Sequence, residues 1–153
     1  MTPDVNVLVA ASRSDHPYHK TAYACLDEAV AACSDGGTLR LMPMVVASFL
    51  RFVTHPKIFV EPTPIKEAVA FVDALLAVPG VEMPALGSEW PLMRDLCIEK
   101  TLAANDIPDA WLAAAVHRFG EHLVTFDADF KRLLRRTQVT VLSGALEGFL
   151  YGQ

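Results

Sequence analysis

The sequence predicts an α/β fold in which a parallel β-sheet carries helices on both faces and helix outweighs strand. Short apolar segments with strand character alternate with longer segments of helical periodicity. Parallel strands need long crossover connections, which helices usually supply, so this alternation favours a parallel sheet covered on both sides. At 153 residues the chain has the length of one domain with a sizeable core, and we assign residues 1–153 to a single domain.

Five long helices are predicted from their apolar spacing and from the residues that begin and end helices. The third of them has Thr63 as its expected N-cap and Pro64 as its first residue. Gly36 and Gly37 end the first helix, and Gly120 ends the fifth. The predicted helices lie within residues 14–33, 42–56, 63–80, 88–103 and 107–120.

The strands are short and mostly apolar. The first is a short piece before Asp4, and the clearest one is "HLVTF" at residues 122–126. A short helix, "ADFKRLLRR", is expected to join this strand to the final strand "QVTVLS". The segments "TLRLMP" and "VEMPA" supply two further candidate strands.

Composition excludes several classes of protein. Apolar residues make up 52% of the chain and the mean hydropathy is +0.30, yet no run of about 18 uncharged apolar residues predicts a membrane span. The N-terminal residues lack the pattern of a signal peptide, since Asp4 comes almost at once. A net charge of −5 argues against binding nucleic acid through global charge, but it allows an acidic pocket that holds cations.

The three cysteines indicate a reducing compartment. Their number is odd, and no two of them, at positions Cys25, Cys33 and Cys97, have CxxC spacing. We therefore expect reduced thiols that serve as small core residues, and a cytoplasmic location. The high apolar content also suggests that part of the surface is covered by another chain.

Aspartates follow two strands and begin one helix. Asp4 follows the first strand, Asp127 and Asp129 follow "HLVTF", and Asp109 lies in the first turn of the fifth helix. Ligands of open α/β sheets bind beyond the carboxyl ends of the strands, where these side chains are expected. If they converge, their hard oxygen atoms suit Mg²⁺ or Mn²⁺ better than zinc.

Each aspartate also has a purely structural interpretation. Asp109 suits the positive end of a helix dipole, and Asp4 suits a turn. Asp127 is a suitable cap for the following helix, with Asp129 as an acid of its first turn. Spacing alone does not decide between these roles and a metal site.

Four segments resemble a known family. "PDVNVLVAA", "SFLRFVTHPKIF", "NDIPDAWLAAA" and "HLVTFDADF" span residues 3 to 130 in the order seen in PIN-domain ribonucleases. The stretch "DAWLAAAVHRFGEHLVTFDADF" is the specific one, because it combines the helix acid, the helix-to-strand spacing and the strand-end acids. The chain looks most like the VapC-type toxins of bacterial toxin–antitoxin pairs.

The resemblance implies a PIN-like fold and an Mg²⁺-dependent endoribonuclease that is inhibited by a cognate antitoxin. By position, Asp4, Asp109 and Asp127 would be the metal-binding acids. Asp129 would act with them in catalysis, adding charge or orienting the attacking water. Asn6 and Thr125 would support the carboxylates through hydrogen bonds.

The chain departs from the family pattern at one site position. Many PIN domains have a glutamate where this chain has Ser48. One carboxylate fewer should weaken metal binding or leave more water around the ion. Ser48 can still contact such a water, and Asp106 is an acidic substitute if its side chain points inward.

Basic residues near the predicted site are candidate contacts to RNA or to a partner. In a helix, Lys131, Arg132, Arg135 and Arg136 would share one side, close to the strand-end acids. The competing interpretation is that these basic residues form a solvent-exposed helix surface without a binding role. Two interpretations are open for Arg51: contact with the acids or with phosphate, or a structural salt bridge.

The remaining motifs point to no further cofactor. The histidines lack zinc-ligand spacing, and neither a GxGxxG nor a Walker loop is present. Trp90 and Trp111 suit core or interface positions better than base stacking.

Three hypotheses are therefore carried forward. The first is the Mg²⁺-dependent ribonuclease toxin, which acts on an RNA substrate and assembles as a homodimer with a cognate antitoxin. The second is a catalytically weak PIN domain that mainly binds its antitoxin or RNA, motivated by Ser48. The third is a phospho-receiver domain, which ranks last because it needs a paired acid near the first strand and a late lysine after a strand.

Overall fold

A parallel three-stranded sheet forms the centre of the molecule. The structure is a computed structural model, and it describes residues 1–143; the part of the predicted domain that falls on residues 144–153 lies outside the described residues. The sheet has the order β1-β4-β5, with Thr2 paired to Leu123 and Leu123 paired to Val139. Its strands are β1 (Thr2–Pro3), β4 (Leu123–Thr125) and β5 (Val139–Val141).

A second parallel pair extends this sheet. It consists of β2 (Leu39–Arg40) and β3 (Val81–Glu82). The amide nitrogen of Arg40 donates to the carbonyl oxygen of Met1 over 3.0 Å, which places β2 beside the start of β1. The two additional strands predicted from "TLRLMP" and "VEMPA" are thereby confirmed.

In residues 1–143, six α-helices surround the strands, and the predicted helix-rich α/β class is confirmed. Within the described residues, no helix has the length and apolar character needed to cross a bilayer. The helices are α1 (Val5–Ser12), α2 (His19–Ala32), α3 (Pro43–Val53), α4 (Ile65–Leu76), α5 (Trp90–Glu99) and α6 (Asp106–Arg118).

Helix α1 lies in the middle of the core. The side chains of Val7, Leu8, Val9 and Ala10 are at most 1% exposed, so this helix is buried on all sides rather than along one stripe. Helix α1 packs against α2, α3 and β4. Because Asp4 is the single residue between β1 and α1, the burial of α1 also fixes the position of Asp4.

Two local predictions were wrong. Thr63 does not cap α4, because Pro64 is the N-cap residue and the Thr63 hydroxyl accepts a hydrogen bond from the guanidinium of Arg13 over 3.0 Å. The buried Arg13 needs several acceptors, and Thr63 is one of them.

The expected helix at residues 128–136 is also absent. A 3₁₀ helix covers Ala128–Arg132, and a second one covers Arg136–Gln138 after an extended Arg135. Phe130 and Leu134 are both buried, as they would also be on one face of an α-helix, so the break lies in the backbone, which is extended at Arg135. Without a continuous α-helix, the four basic residues do not share one helical side.

Candidate functional site

Asp4 and Thr125 form the buried centre of the site. Asp4 ends β1 and caps α1, accepting a hydrogen bond from the Val5 amide over 2.7 Å, and its side chain is buried. Thr125, at the end of β4, is 0% exposed and donates its hydroxyl proton to the other Asp4 oxygen over 2.7 Å. Although β1 is only two residues long, Asp4 is therefore held on both of its carboxylate oxygens.

The same threonine hydroxyl fixes the loop that follows β4. It accepts hydrogen bonds from the Asn6 side-chain amide over 3.3 Å and from the Asp127 amide over 3.0 Å. The Asn6 carbonyl oxygen accepts from the Phe126 amide over 3.2 Å, and Asp127 accepts from the Asp129 amide over 2.9 Å. Asn6 and Thr125 thus hold the strand ends that carry Asp4 and Asp127 in register.

Asp109 belongs to the same electrostatic cluster. Burial, followed by the charges of Asp4, Asp127, Asp106 and Asp129, raises the pKa of Asp109 to about 7. The pKa of Asp4 is raised to about 6: burial is the largest cause, hydrogen bonds from Thr125 and Val5 oppose the rise, and the charge of Asp127 adds to it. The first turn of α6 and the ends of two strands therefore meet in one acidic pocket.

The donor chemistry of this pocket fits a hard divalent cation. The carboxylate of Asp109 is repelled by four others, and a cation between them would relieve that repulsion. Among residues 1–143, no three His, Cys, Asp or Glu side chains are arranged as a ready-made metal cage. Mg²⁺ usually binds through one or two carboxylates and several waters, so the pocket suits it without such a cage.

Ser48 lies beside the acidic pocket but in apolar surroundings. It lines a groove of about 560 Å³ between α3, α5 and α6, together with Met44, Met93, Pro108 and Trp111. Pro108 directly precedes Asp109, so the groove and the acidic pocket share the first turn of α6.

The groove contains a contact that sequence reasoning missed. The Trp111 indole donates to the buried carboxylate of Glu89 over 2.7 Å, and Glu89 also accepts from the Gly87 amide. These hydrogen bonds lower the pKa of Glu89 against the opposing effect of burial. No local pattern predicts a pair that lies 22 residues apart.

The remaining predicted residues lie at the surface. Asp106 begins α6, and its carboxylate lies 3.5 Å from the guanidinium of Arg132. Lys131 is exposed, and Arg51 is exposed with its guanidinium over the Phe52 ring at 4.7 Å. Of the basic residues, Arg132 is thus the one whose contact reaches the acidic segments.

Replacing Thr125 with Val should destabilise the site. The buried Asp4 carboxylate would lose its donor, and the Asp127 amide would lose its acceptor, with almost no change in volume. We expect the free energy of unfolding to fall by about 1–3 kcal/mol near pH 8, measured by urea denaturation. Thr125→Ser keeps the hydroxyl and serves as the matched control; equal losses in both variants would contradict the proposed hydrogen-bonding role.

Comparisons with known proteins place the chain in a family. The model of the PIN domain matches residues 1–135. Ribonuclease VapC31 from Mycobacterium tuberculosis is 41% identical over 133 residues, covering 84% of this chain and 89% of the relative. Ribonuclease VapC25 from the same organism is 39% identical over 130 residues, with the same two coverages.

A solved structure shows the same fold. The structure of VapBC2 from Rickettsia felis, bound to a DNA fragment from its promoter, matches with a TM-score of 0.62 and 17% identity, covering 92% of this chain and 96% of the matched chain. At that identity the likeness concerns the fold alone. The family model and the VapC relatives together show that the chain is a PIN-domain protein of the VapC ribonuclease family.

Proposed function

We propose that the protein is an Mg²⁺-dependent endoribonuclease that acts as the toxin of a type II toxin–antitoxin pair in the cytoplasm. The charges of Asp4 and Asp127, which together with burial raise the pKa of Asp109, are the observation that supports the proposal. The names of the VapC relatives support RNA as the substrate. Mn²⁺ has the same preference for oxygen ligands and is an alternative ion.

We assign each site residue a role. Asp4, Asp109 and Asp127 would hold the ion, directly or through water, and Asn6 and Thr125 orient the carboxylates through the hydrogen bonds described above. The ion, when bound, lowers the pKa of a water and stabilises charge on the phosphodiester.

Asp129 completes this set at the solvent-exposed edge of the pocket. Its backbone amide donates a hydrogen bond to the Asp127 carboxylate, which holds Asp129 beside the acids, and Asp129 is exposed to solvent. We assign it to orienting water for in-line attack, which would leave a 5′-phosphate product.

An antitoxin and a second copy of the chain are the proposed partners. Apolar side chains are exposed on two different helices: Ile65 and Val69 on α4 are 57% and 40% exposed, and Trp90 and Ile98 on α5 are 55% and 71% exposed. Exposed apolar side chains of this size often belong to interfaces. The matched VapBC2 complex supports an antitoxin, which would present a basic side chain to the acidic pocket.

Incubation of purified protein with total cellular RNA tests the proposal. Discrete fragments should form with Mg²⁺ and should disappear with a chelator. Absence of cleavage by protein that demonstrably binds Mg²⁺ would favour a catalytically weak PIN domain that binds antitoxin or RNA. Ser48 in its apolar surroundings would then be the residue to examine first.

A further inference from the structure

An ion pair connects the two segments that carry the acids. The guanidinium of Arg132 lies 3.5 Å from the carboxylate of Asp106. Arg132 ends the 3₁₀ turn that begins directly after Asp127, and Asp106 begins α6 three residues before Asp109. The pair therefore bridges the segment after β4 and the start of α6 beside the acidic pocket.

This pair is exposed and weak. The side chains of Arg132 and Asp106 are 56% and 42% exposed, so solvent screens their attraction. Exposed pairs contribute little to stability, and this one is longer than the charged contacts of 2.7 to 2.8 Å that Arg40 makes with Glu82 and Glu121. Arg132 is held near the pocket by a contact that a better anion can replace.

A phosphate of RNA is such an anion. The guanidinium binds phosphate through two parallel hydrogen bonds, which a single contact at 3.5 Å does not provide. A nucleic acid that approaches these carboxylates is repelled, and Arg132 offers a positive charge next to one of them, Asp106. The guanidinium of Arg132 would release the Asp106 carboxylate when it binds the phosphate.

We propose that Arg132 is a phosphate-binding residue that exchanges Asp106 for a phosphate of the RNA next to the scissile bond. Asp106 then acts as an internal competitor that weakens RNA binding. The inference rests on the proposed ribonuclease function and adds a substrate-binding residue together with the group that restrains it.

Binding of a fluorescein-labelled single-stranded RNA of mixed sequence, measured by anisotropy with Ca²⁺ in place of Mg²⁺, tests the exchange without cleavage. Arg132→Ala should raise Kd by about tenfold and reduce the dependence of log Kd on log salt by about 0.7. Arg132→Lys should restore the salt dependence but only part of the affinity. In cleavage assays with Mg²⁺, Arg132→Ala should raise KM and leave kcat nearly unchanged.

Asp106→Asn is expected to change Kd for RNA in the opposite direction. Releasing Arg132 should lower Kd by about two- to fivefold. The decrease should vanish in the Arg132→Ala background if exchange is the cause. If it persists there, Asp106 acts only through its long-range charge, and the proposed exchange is overturned.

The chain offers a matched control. Arg94 and Asp95 on α5 form a similar exposed pair at 3.2 Å, with side chains 50% and 55% exposed. Arg94→Ala should leave Kd and the salt dependence unchanged. Equal effects of Arg94→Ala and Arg132→Ala would contradict a specific role for Arg132, as would absence of RNA binding by the wild type.

The outcomes separate this inference from the proposed function. A wild type that binds RNA through Arg132 in Ca²⁺ but does not cleave it with Mg²⁺ contradicts the nuclease and supports the phosphate contact. If the wild type cleaves RNA and Arg132→Ala has the same Kd, KM and salt dependence as the wild type, the phosphate contact is contradicted and the nuclease is supported.

Discussion

Replacing Asp109 with Asn is expected to abolish RNA cleavage and, at the same time, to stabilise the fold. Asn keeps the shape of the side chain but loses the negative charge that a cation needs. Loss of one such ligand should reduce the rate by more than about a hundredfold. Fragment formation from total RNA with Mg²⁺ is the measurement for this half of the prediction.

The gain in stability follows from the pKa of Asp109. Burial and neighbouring carboxylates raise it from 3.8 to about 7, so the ionised form is disfavoured in the folded state. Because the group is partly accessible to solvent, we expect a discounted gain of about 1–3 kcal/mol in the free energy of unfolding near pH 8. Urea denaturation without metal measures it.

Asp73→Asn is the control for this variant, since Asp73 is an exposed aspartate on α4. It should change neither activity nor stability by more than about 0.5 kcal/mol. Lower stability of Asp109→Asn near pH 8 would show that Asp109 is a structural residue, contrary to its proposed part in a strained acidic pocket.

The contribution of Asp4 and Asp109 to the stability of the metal-free protein should decrease as the pH rises from about 4 to about 7, whereas His16, whose pKa burial lowers to about 4, contributes with the opposite sign. Asp4 and Asp109 have folded-state pKa values of about 6 and about 7, above the 3.8 of an exposed aspartate. The folded state therefore holds protons that the unfolded state has already lost in this range. The contribution of the two groups is fully present below about pH 4 and is lost as the pH passes their folded-state pKa values.

Mg²⁺ should reverse this loss, because ion binding requires ionised carboxylates. At ten times its Kd, Mg²⁺ should add about 1.4 kcal/mol to the free energy of unfolding near pH 8, and much less near pH 5. Thermal denaturation with Mg²⁺ or with chelator, at matched ionic strength, measures the difference. In Asp109→Asn the Mg²⁺-dependent stabilisation should be strongly reduced.

An equal effect of Mg²⁺ at both pH values would contradict this prediction, since it would indicate binding away from the titrating acids. An equal effect in the wild type and in Asp109→Asn would locate the ion elsewhere for the same reason. Neither result would bear on the fold, which the family match establishes independently.

Local patterns were sufficient for most of the elements. Gly120, with φ of +62°, ends the helix that contains Asp109 as predicted, because glycine adopts this conformation with little strain. The prediction of one helix at residues 128–136 was wrong, since the backbone forms a 3₁₀ helix over Ala128–Arg132 and is extended at Arg135. Tertiary packing overrides helical propensity in a segment this short.

The sequence by itself determined the α/β class and the position of each aspartate relative to a strand end or a helix start, because these depend on short-range periodicity and on capping residues. The tertiary structure alone decided which side chains meet. Thr125 joins Asp4 to Asp127, Glu89 holds Trp111, and Arg132 contacts Asp106. Such contacts join residues from distant parts of the chain, and only the packing of the helices on the sheet brings them together.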